Sequence, residues 1–294
     1  MRKENRLHLI IYMAASTMLS SLLFTGCSST SALKEGEQLF AGLKPIEYTN
    51  YEENSYADSV KEEMEHALAS APTGAFMGSS YFRTPFPVRL WIWNAFSPSD
   101  NGLSRWITKV FGSKPKLMEN VNPQLRAQVA EHQLDKYGYF NGKVDYEVQT
   151  QSNPKEAKVA YKVDMGHLWR LDSVAYLNFP DHGKQLIDST MEQAAIRKGS
   201  PFNVSKLEQE RQRLTRLFRN HGYYFYQNSY ASYLAGTVNV PGKVNVRLSM
   251  VDSIEPEAKR QWYIGNINIS FRKQFMEEMT DSFVRRYLSF RYAG

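Results

Sequence analysis

A helical apolar run that ends in a Gly-Tyr pair occurs twice, in QLDKYGYF at 133–140 and in LTRLFRNHGYYF at 214–225, and the rest of the chain can be placed around it. Laying Gly138 on Gly222 sets Leu134 under Phe218 and Tyr139 under Tyr223. A glycine directly after a helical run is the expected closing residue, because it takes the left-handed conformation without a Cβ penalty. The tyrosine after it is expected to open a strand. The two joints lie 84 residues apart, which reads as two copies of one small α+β unit.

The flanks fill in the unit. Asn122-Pro123 has the form of a helix start, with Ala127, Ala130, Leu134 and Tyr137 on one face before Gly138. Val144, Tyr146 and Val148 then alternate with Lys143, Asp145 and Glu147, and after a turn at Ser152-Asn153-Pro154 so do Val159, Tyr161 and Val163 with their polar neighbours. In the second copy a strand is expected over 169–176 and helical material over 182–198. A helix capped by Asn203 and running to His221 should turn Val204, Leu207, Leu214, Leu217 and Phe218 inward. A closing hairpin over 223–234 and 243–251 includes Val244 and Val246. The order is strand, helix, helix, strand, strand. Upstream of the first copy, 43–48 reads as a strand and 57–70 as a helix. Downstream, WYIGNINI at Trp262 echoes WRLDSVAY at Trp169, 93 residues earlier, and starts a third unit that stays incomplete. There Phe275, Met279, Phe283 and Tyr287 suggest one helix.

Residues 71–122 fit no repeat. Prolines and glycines punctuate them, and between these lie Phe82, Phe86, Trp91, Trp93, Phe96, Trp106 and Phe111. The stretch 103–111 suggests a short amphipathic helix, with Leu103, Trp106, Ile107 and Val110 opposite Arg105 and Lys109. Such a face either touches lipid headgroups or a partner, or seals the first domain as a local mini-core. The mini-core is the expectation.

At the N-terminus Arg2, Lys3 and Arg6 precede a largely apolar stretch from His8 to Phe24, which reads as a signal peptide over 1–26. Cys27, the single cysteine, follows at once in Leu23-Phe24-Thr25-Gly26-Cys27, and Ser28–Ala32 reads as a polar tether. Setting aside Arg2, Lys3, Arg6 and Glu4 leaves 33 basic against 29 acidic residues, too mild and too scattered a surplus for nucleic acid. The 18 Tyr and 16 Phe suit a chain of short sheets. None of His8, His66, His132, His167, His182 and His221 lies three to five residues from another, so no zinc site is written and no metal or cofactor is expected. No Gly-rich phosphate loop follows a strand and no serine sits in a hydrolase elbow, so an enzyme is not expected. The run of Glu208, Glu210, Arg211, Arg213, Arg216 and Arg219 reads as a solvated helix face.

Two resemblances follow from these residues. Leu23–Cys27 resembles the bacterial lipobox, in which the cysteine is lipidated and becomes the first residue of the mature chain; the alternative is a plain secretory signal with an incidental cysteine. LKEGEQLF at 33–40, PFPVRLWIWNAF at 85–96, KYGYFNGKV at 136–144 and LEQERQRLTRLFRNHGYYF at 207–225 resemble the polypeptide-transport-associated (POTRA) repeats of the Omp85 superfamily, within it the lipid-anchored TamA-like (TamL) proteins of Bacteroidetes. The resemblance implies an α+β fold of tandem POTRA-like β-α-α-β-β units: a tether over 27–37, a first domain over 38–166 with the insertion 71–122, a second over 167–252 and a partial third over 262–294. It implies a non-enzymatic arm, anchored through Cys27 to outer-membrane lipid and facing the periplasm. Such an arm would bind outer-membrane protein precursors, or a TamB-like periplasmic partner, by strand addition. Members of that family continue into an outer-membrane barrel that this chain lacks, so a truncated gene, a fragment and a stand-alone arm all remain open. A structural envelope lipoprotein that docks to another component is the alternative function. The residues expected to carry interaction are Trp91, Trp93, Trp106, Val144, Tyr146, Val244 and Val246, with Gly138 and Gly222 as helix-closing positions and Cys27 as the lipidation site.

Overall fold

A computed structural model describes residues 29–237, 241–272, 276 and 278–292; the signal peptide and Cys27 lie outside them. The chain divides into two compact units, one up to Trp169 and one from Arg170.

In the first unit β1 (Leu39–Leu43) and β2 (Glu47–Thr49) lie on the same side of β4 (Glu156–Asp164), both parallel to it, and β3 (Lys143–Thr150) pairs antiparallel on the other side. The single strand expected over 43–48 is therefore two short ones, broken between Leu43 and Glu47, where Lys44 still donates its N–H to Val159 at 2.8 Å. Helices α1 (Ser55–Leu68) and α4 (Pro123–Lys136) cover one face. Both start on asparagine: Asn54 accepts from the N–H of Tyr56 and Ala57, and Asn122 from that of Leu125. Val60, Met64 and Leu68 of α1 meet Ala127, Ala130 and Leu134 of α4 over Phe40, Val159, Tyr161 and Val163 of the sheet, in one buried cluster.

The insertion carries α2 (Val88–Phe96) and α3 (Gly102–Val110). Sequence periodicity anticipates α3 but not α2. The insertion also lines the outer edge of β1: Phe40 N–H donates to the Lys116 carbonyl at 2.9 Å, Met118 N–H to Gln38 at 2.9 Å and Leu43 N–H to Ser80 at 2.7 Å. From Ser29 the supposed tether is not loose. Thr30 is buried and its hydroxyl accepts from the Asn153 side chain at 3.1 Å. Leu33 packs in a small core with Leu39, Leu90 and Leu117.

The second unit holds β5 (Arg170–Leu177), α5 (Asp181–Ser189), α6 (Val204–Asn220), β6 (Ala231–Gly236), β7 (Lys243–Met250) and a four-residue α7 (Pro256–Lys259). The sheet runs β5-β7-β6, with β5 parallel and β6 antiparallel to β7. Phe218 of α6 is its centre, stacked on Tyr226 at 4.6 Å and tilted against Tyr223 at 5.0 Å. The expected strand over 223–234 begins only at Ala231. Tyr223 and Tyr226 are spent as buried core anchors, and a short 3-10 turn over Asn228–Tyr230 precedes the strand.

A third sheet comprises β8 (Ile267–Phe271), β9 (Asp281–Arg285) and β10 (Leu288–Tyr292), in the order β8-β10-β9. Of the helix expected from Phe275 to Tyr287, Phe275 lies outside the described residues, and from Asp281 onward the β9–β10 hairpin stands in its place. A spacing of four residues is also a multiple of two, so it fits a strand face equally, and Phe, Val and Tyr favour the strand. Arg286, at φ 57°, makes the turn between the two strands.

Candidate interaction surface

The two helix-closing joints are built alike. Gly138 stands at φ 86° and Gly222 at φ 91°. The N–H of the following tyrosine reaches back to the carbonyl five residues earlier, Tyr139 to Leu134 at 3.0 Å and Tyr223 to Phe218 at 3.1 Å, which is the Schellman closure. Tyr139 and Tyr223 are buried anchors and not strand residues, because that closure directs the side chain after the glycine back under the helix. The carbonyl of each glycine accepts from a tryptophan N–H: Trp169 to Gly138 at 2.9 Å and Trp262 to Gly222 at 2.7 Å. Each indole meets an aromatic next to the joint edge-on, Phe140 at 5.5 Å and Phe225 at 5.3 Å. The Trp echo in the sequence thus marks a docking point of the chain on the preceding helix end.

Val244 and Val246 are fully buried on β7, a central strand paired on both sides. Their alternation made them core, not interface, and they offer neither a side chain nor a backbone edge to a partner. Val144 is buried on β3, whereas Tyr146 of the same strand is 42% exposed. β3 pairs only with β4, and its outward residues Lys143, Asp145 and Glu147 are charged. β6 is an edge of the second sheet, as β5 is, while β8 and β9 are the edges of the third. From Ala231 to Gly236 β6 carries no charge, and Leu234 is 71% exposed. The signal for it in the sequence is that missing charge, which a search for alternation passes over.

Trp91 and Trp93 of α2 are half-buried, Trp91 edge-on to the exposed Phe86 at 6.1 Å. The side that α3 buries carries Ser104, while Leu103 (67%), Trp106 (55%) and Val110 (46%) face out. The mini-core expectation is overturned for Leu103, Trp106 and Val110, which point away from the domain, while Ile107 of the same stripe is half-buried. Cations in the insertion divide into two sets. Arg83 pairs with Glu156 at 3.1 Å, and Lys116 donates to Ser70 at 2.8 Å, with burial and then nearby Arg126 lowering the pKa of its ammonium. Arg89, Arg105, Lys109 and Lys114 are exposed.

The charged run on α6 is not a plain solvated face. Glu210 is fully buried; its carboxylate accepts from Arg213 Nη2 at 2.6 Å, Tyr176 Oη at 2.8 Å and Ala195 N–H at 2.7 Å. At the corresponding position of the first unit, 84 residues earlier, Arg126 donates to the Ala69 carbonyl at 2.9 Å. Both side chains tie the second helix to the segment that follows the first one. Among the described residues no group of three or more His, Cys, Asp or Glu is placed to hold a metal ion. Cys27 lies outside the described residues.

No family model and no curated protein matches the chain. Among solved structures it is similar to POTRA domains 3–5 of BamA from Haemophilus influenzae, at 12% identity and a TM-score of 0.37 over 84% of this chain and 76% of that one. It is similar to POTRA domains 1–2 of the periplasmic domain of Omp85 from Anabaena, at 11% and 0.32 over 76% and 100%. It is also similar to the N-terminal domain of Omp85 from Thermosynechococcus elongatus, at 10% and 0.24 over 74% and 98%. The chain is an α+β protein with a likeness to tandem POTRA domains, and identities and scores of this size carry nothing about client or partner.

Proposed function

We propose that the chain is a non-catalytic periplasmic arm of an outer-membrane protein assembly or translocation factor of the TamA-like kind. It is anchored through lipid on Cys27 and binds extended segments of barrel precursors, or of a TamB-like partner, by strand addition. The observation that carries this is the edge strand β6. An edge strand presents unpaired N–H and C=O groups and is ordinarily guarded by charge, as β3 is by Lys143, Asp145 and Glu147. β6 has none of that protection, and its exposed Leu234 gives an incoming strand an apolar neighbour. In the first sheet the β1 edge is already occupied by the insertion, which leaves β3 as its open side.

The second reading, a structural envelope lipoprotein, is favoured by the outward aromatic face of the insertion. A photo-crosslinking residue placed at Leu234 in the full chain separates the two, with Arg247 on the paired strand β7 as the control. Adducts with unfolded barrel precursors at Leu234 and none at Arg247 are expected. Adducts of mature envelope proteins at Trp106, with none of any kind at Leu234, would replace the arm by the docking lipoprotein.

A further inference from the structure

We infer that the outward face of the insertion lies on the headgroup surface of an anionic phospholipid bilayer. The first ground is the orientation of α3. A short helix on a soluble surface turns its apolar stripe to the core and its polar side to water. Here Ser104 is buried while Leu103, Trp106 and Val110 point out, and Phe111 continues the stripe edge-on to Trp106 at 5.7 Å. Phe82, Phe86 and Val88 extend the exposed apolar surface along the same insertion. A patch of this kind marks a surface that works against something apolar.

Charge identifies the occupant. Arg89, Arg105, Lys109 and Lys114 are exposed, and between Ala71 and Leu117 the only acid is Asp100. Apolar and aromatic side chains flanked by cations on flexible stems are what an interfacial helix needs: the stripe enters the headgroup–acyl boundary, the cations reach back to phosphate, and indole suits the zone between. Asp100 lies 3.7 Å from Arg105, which leaves Arg89, Lys109 and Lys114 as a net basic flank, and a protein partner would be met by an apolar face without requiring it. No helix among the described residues is long and apolar enough to cross a membrane, so the contact is lateral.

Position agrees. The described chain begins at Ser29, which lines a concavity together with Phe82, Pro85 and Trp91 of the insertion. Cys27 stands two residues earlier, within about 7 Å along an extended chain. Lipid on Cys27 would thus lie near the Phe82, Pro85 and Trp91 part of the insertion; this ground rests on the anchoring proposed above, and the other two do not.

The test places the full chain on vesicles of brominated phosphatidylglycerol and on vesicles of brominated phosphatidylcholine. The emission of Trp106 is taken as the difference from Trp106→Phe. Quenching of that component on the anionic vesicles is expected, with weaker quenching on the neutral ones and at high salt. A Leu103→Asp, Val110→Asp double variant, both positions exposed and its fold checked by circular dichroism, should lose the quenching. Unquenched Trp106 in the parent, or quenching unaltered by the two aspartates, overturns the inference. Cys27→Ala, read by the mass and detergent partition of the product, reports on anchoring alone: Trp106 quenched in a parent whose cysteine is unmodified leaves the bilayer contact standing and removes the anchor.

Discussion

The carboxylate of Glu210 joins three parts of the second unit in one buried network. Arg213 holds it from the same helix, Tyr176 from β5 and the Ala195 N–H from the segment after α5, while Arg213 also donates to Thr190 at the end of α5 through Nη1 at 2.9 Å. Every charge in the network has a partner, which is the condition under which a buried pair is tolerated. Removing the carboxylate alone leaves the Arg213 guanidinium without its counter-charge, holding only its Thr190 bonds, and strips the Tyr176 hydroxyl and the Ala195 N–H of their acceptor. Glu210→Ala is therefore expected to cost about 3 to 5 kcal/mol, measured by urea denaturation. Glu210→Ala with Arg213→Ala should cost less than the sum of the two single changes, because the second removes the stranded cation. A loss below about 1 kcal/mol for Glu210→Ala would show that water replaces the carboxylate and that the network does not hold the helices. The sequence hides this residue because Glu210 sits in a run of charges whose period is also that of a wet helix face. Only Leu207, Leu214 and Phe218, which it joins on the buried side, give its direction.

Among elements, the joint of helix, glycine and tryptophan was the most legible and still only half so. Asn122 and Asn203 mark the starts of α4 and α6, and Gly138 and Gly222 their ends, since capping chemistry is local and few residues perform it. The role of the following tyrosine was misread, because aromatic residues favour strands and buried corners alike. For α3, periodicity correctly grouped Leu103, Trp106 and Val110, but a period states which residues share a face and never what that face meets. The joint itself makes a definite demand on Gly222. A Cβ there would stand 3.0 Å from the Trp262 carbonyl oxygen in a left-handed backbone. Gly222→Val should destabilise the chain by about 1 to 2 kcal/mol in thermal melts from the backbone alone. Gly222→Asn should lose less, as asparagine tolerates that conformation. Equal losses for the two would assign the effect to contact with Trp262 and not to φ.

Across the whole molecule one strand order recurs three times: first strand parallel to the last, the last in the middle, the remaining strand antiparallel on the far side, as in β5-β7-β6 and β8-β10-β9. The first two sheets bury one face under helices. Among the described residues no helix covers the third: β8 and β9 are exposed apart from a half-buried Ile269, and β10 is at most half-buried, with Phe271, Phe283 and Val284 open to solvent. The sequence announced this sheet through its Trp262 echo but not its exposure, because an echo at the start of a unit marks a strand and not what packs on it. A three-stranded sheet gains independent stability only by covering an apolar face, so these strands contribute little burial to hold themselves. The last firmly fixed point before them is Trp262, held by its N–H on Gly222, its indole N–H on the Glu257 carbonyl at 2.9 Å and the Arg260 guanidinium 4.6 Å from its ring centre. Stability should therefore fall sharply past Trp262, and local opening there should occur without global unfolding. Trypsin applied to the full native chain is expected to cut first at the exposed turn Arg285-Arg286, well before Arg247 on the paired strand β7, with the products identified by mass. Protection of Arg285 and Arg286 for as long as Arg247 would mean that a covering layer binds the third sheet after all, and that it folds as part of the same cooperative unit.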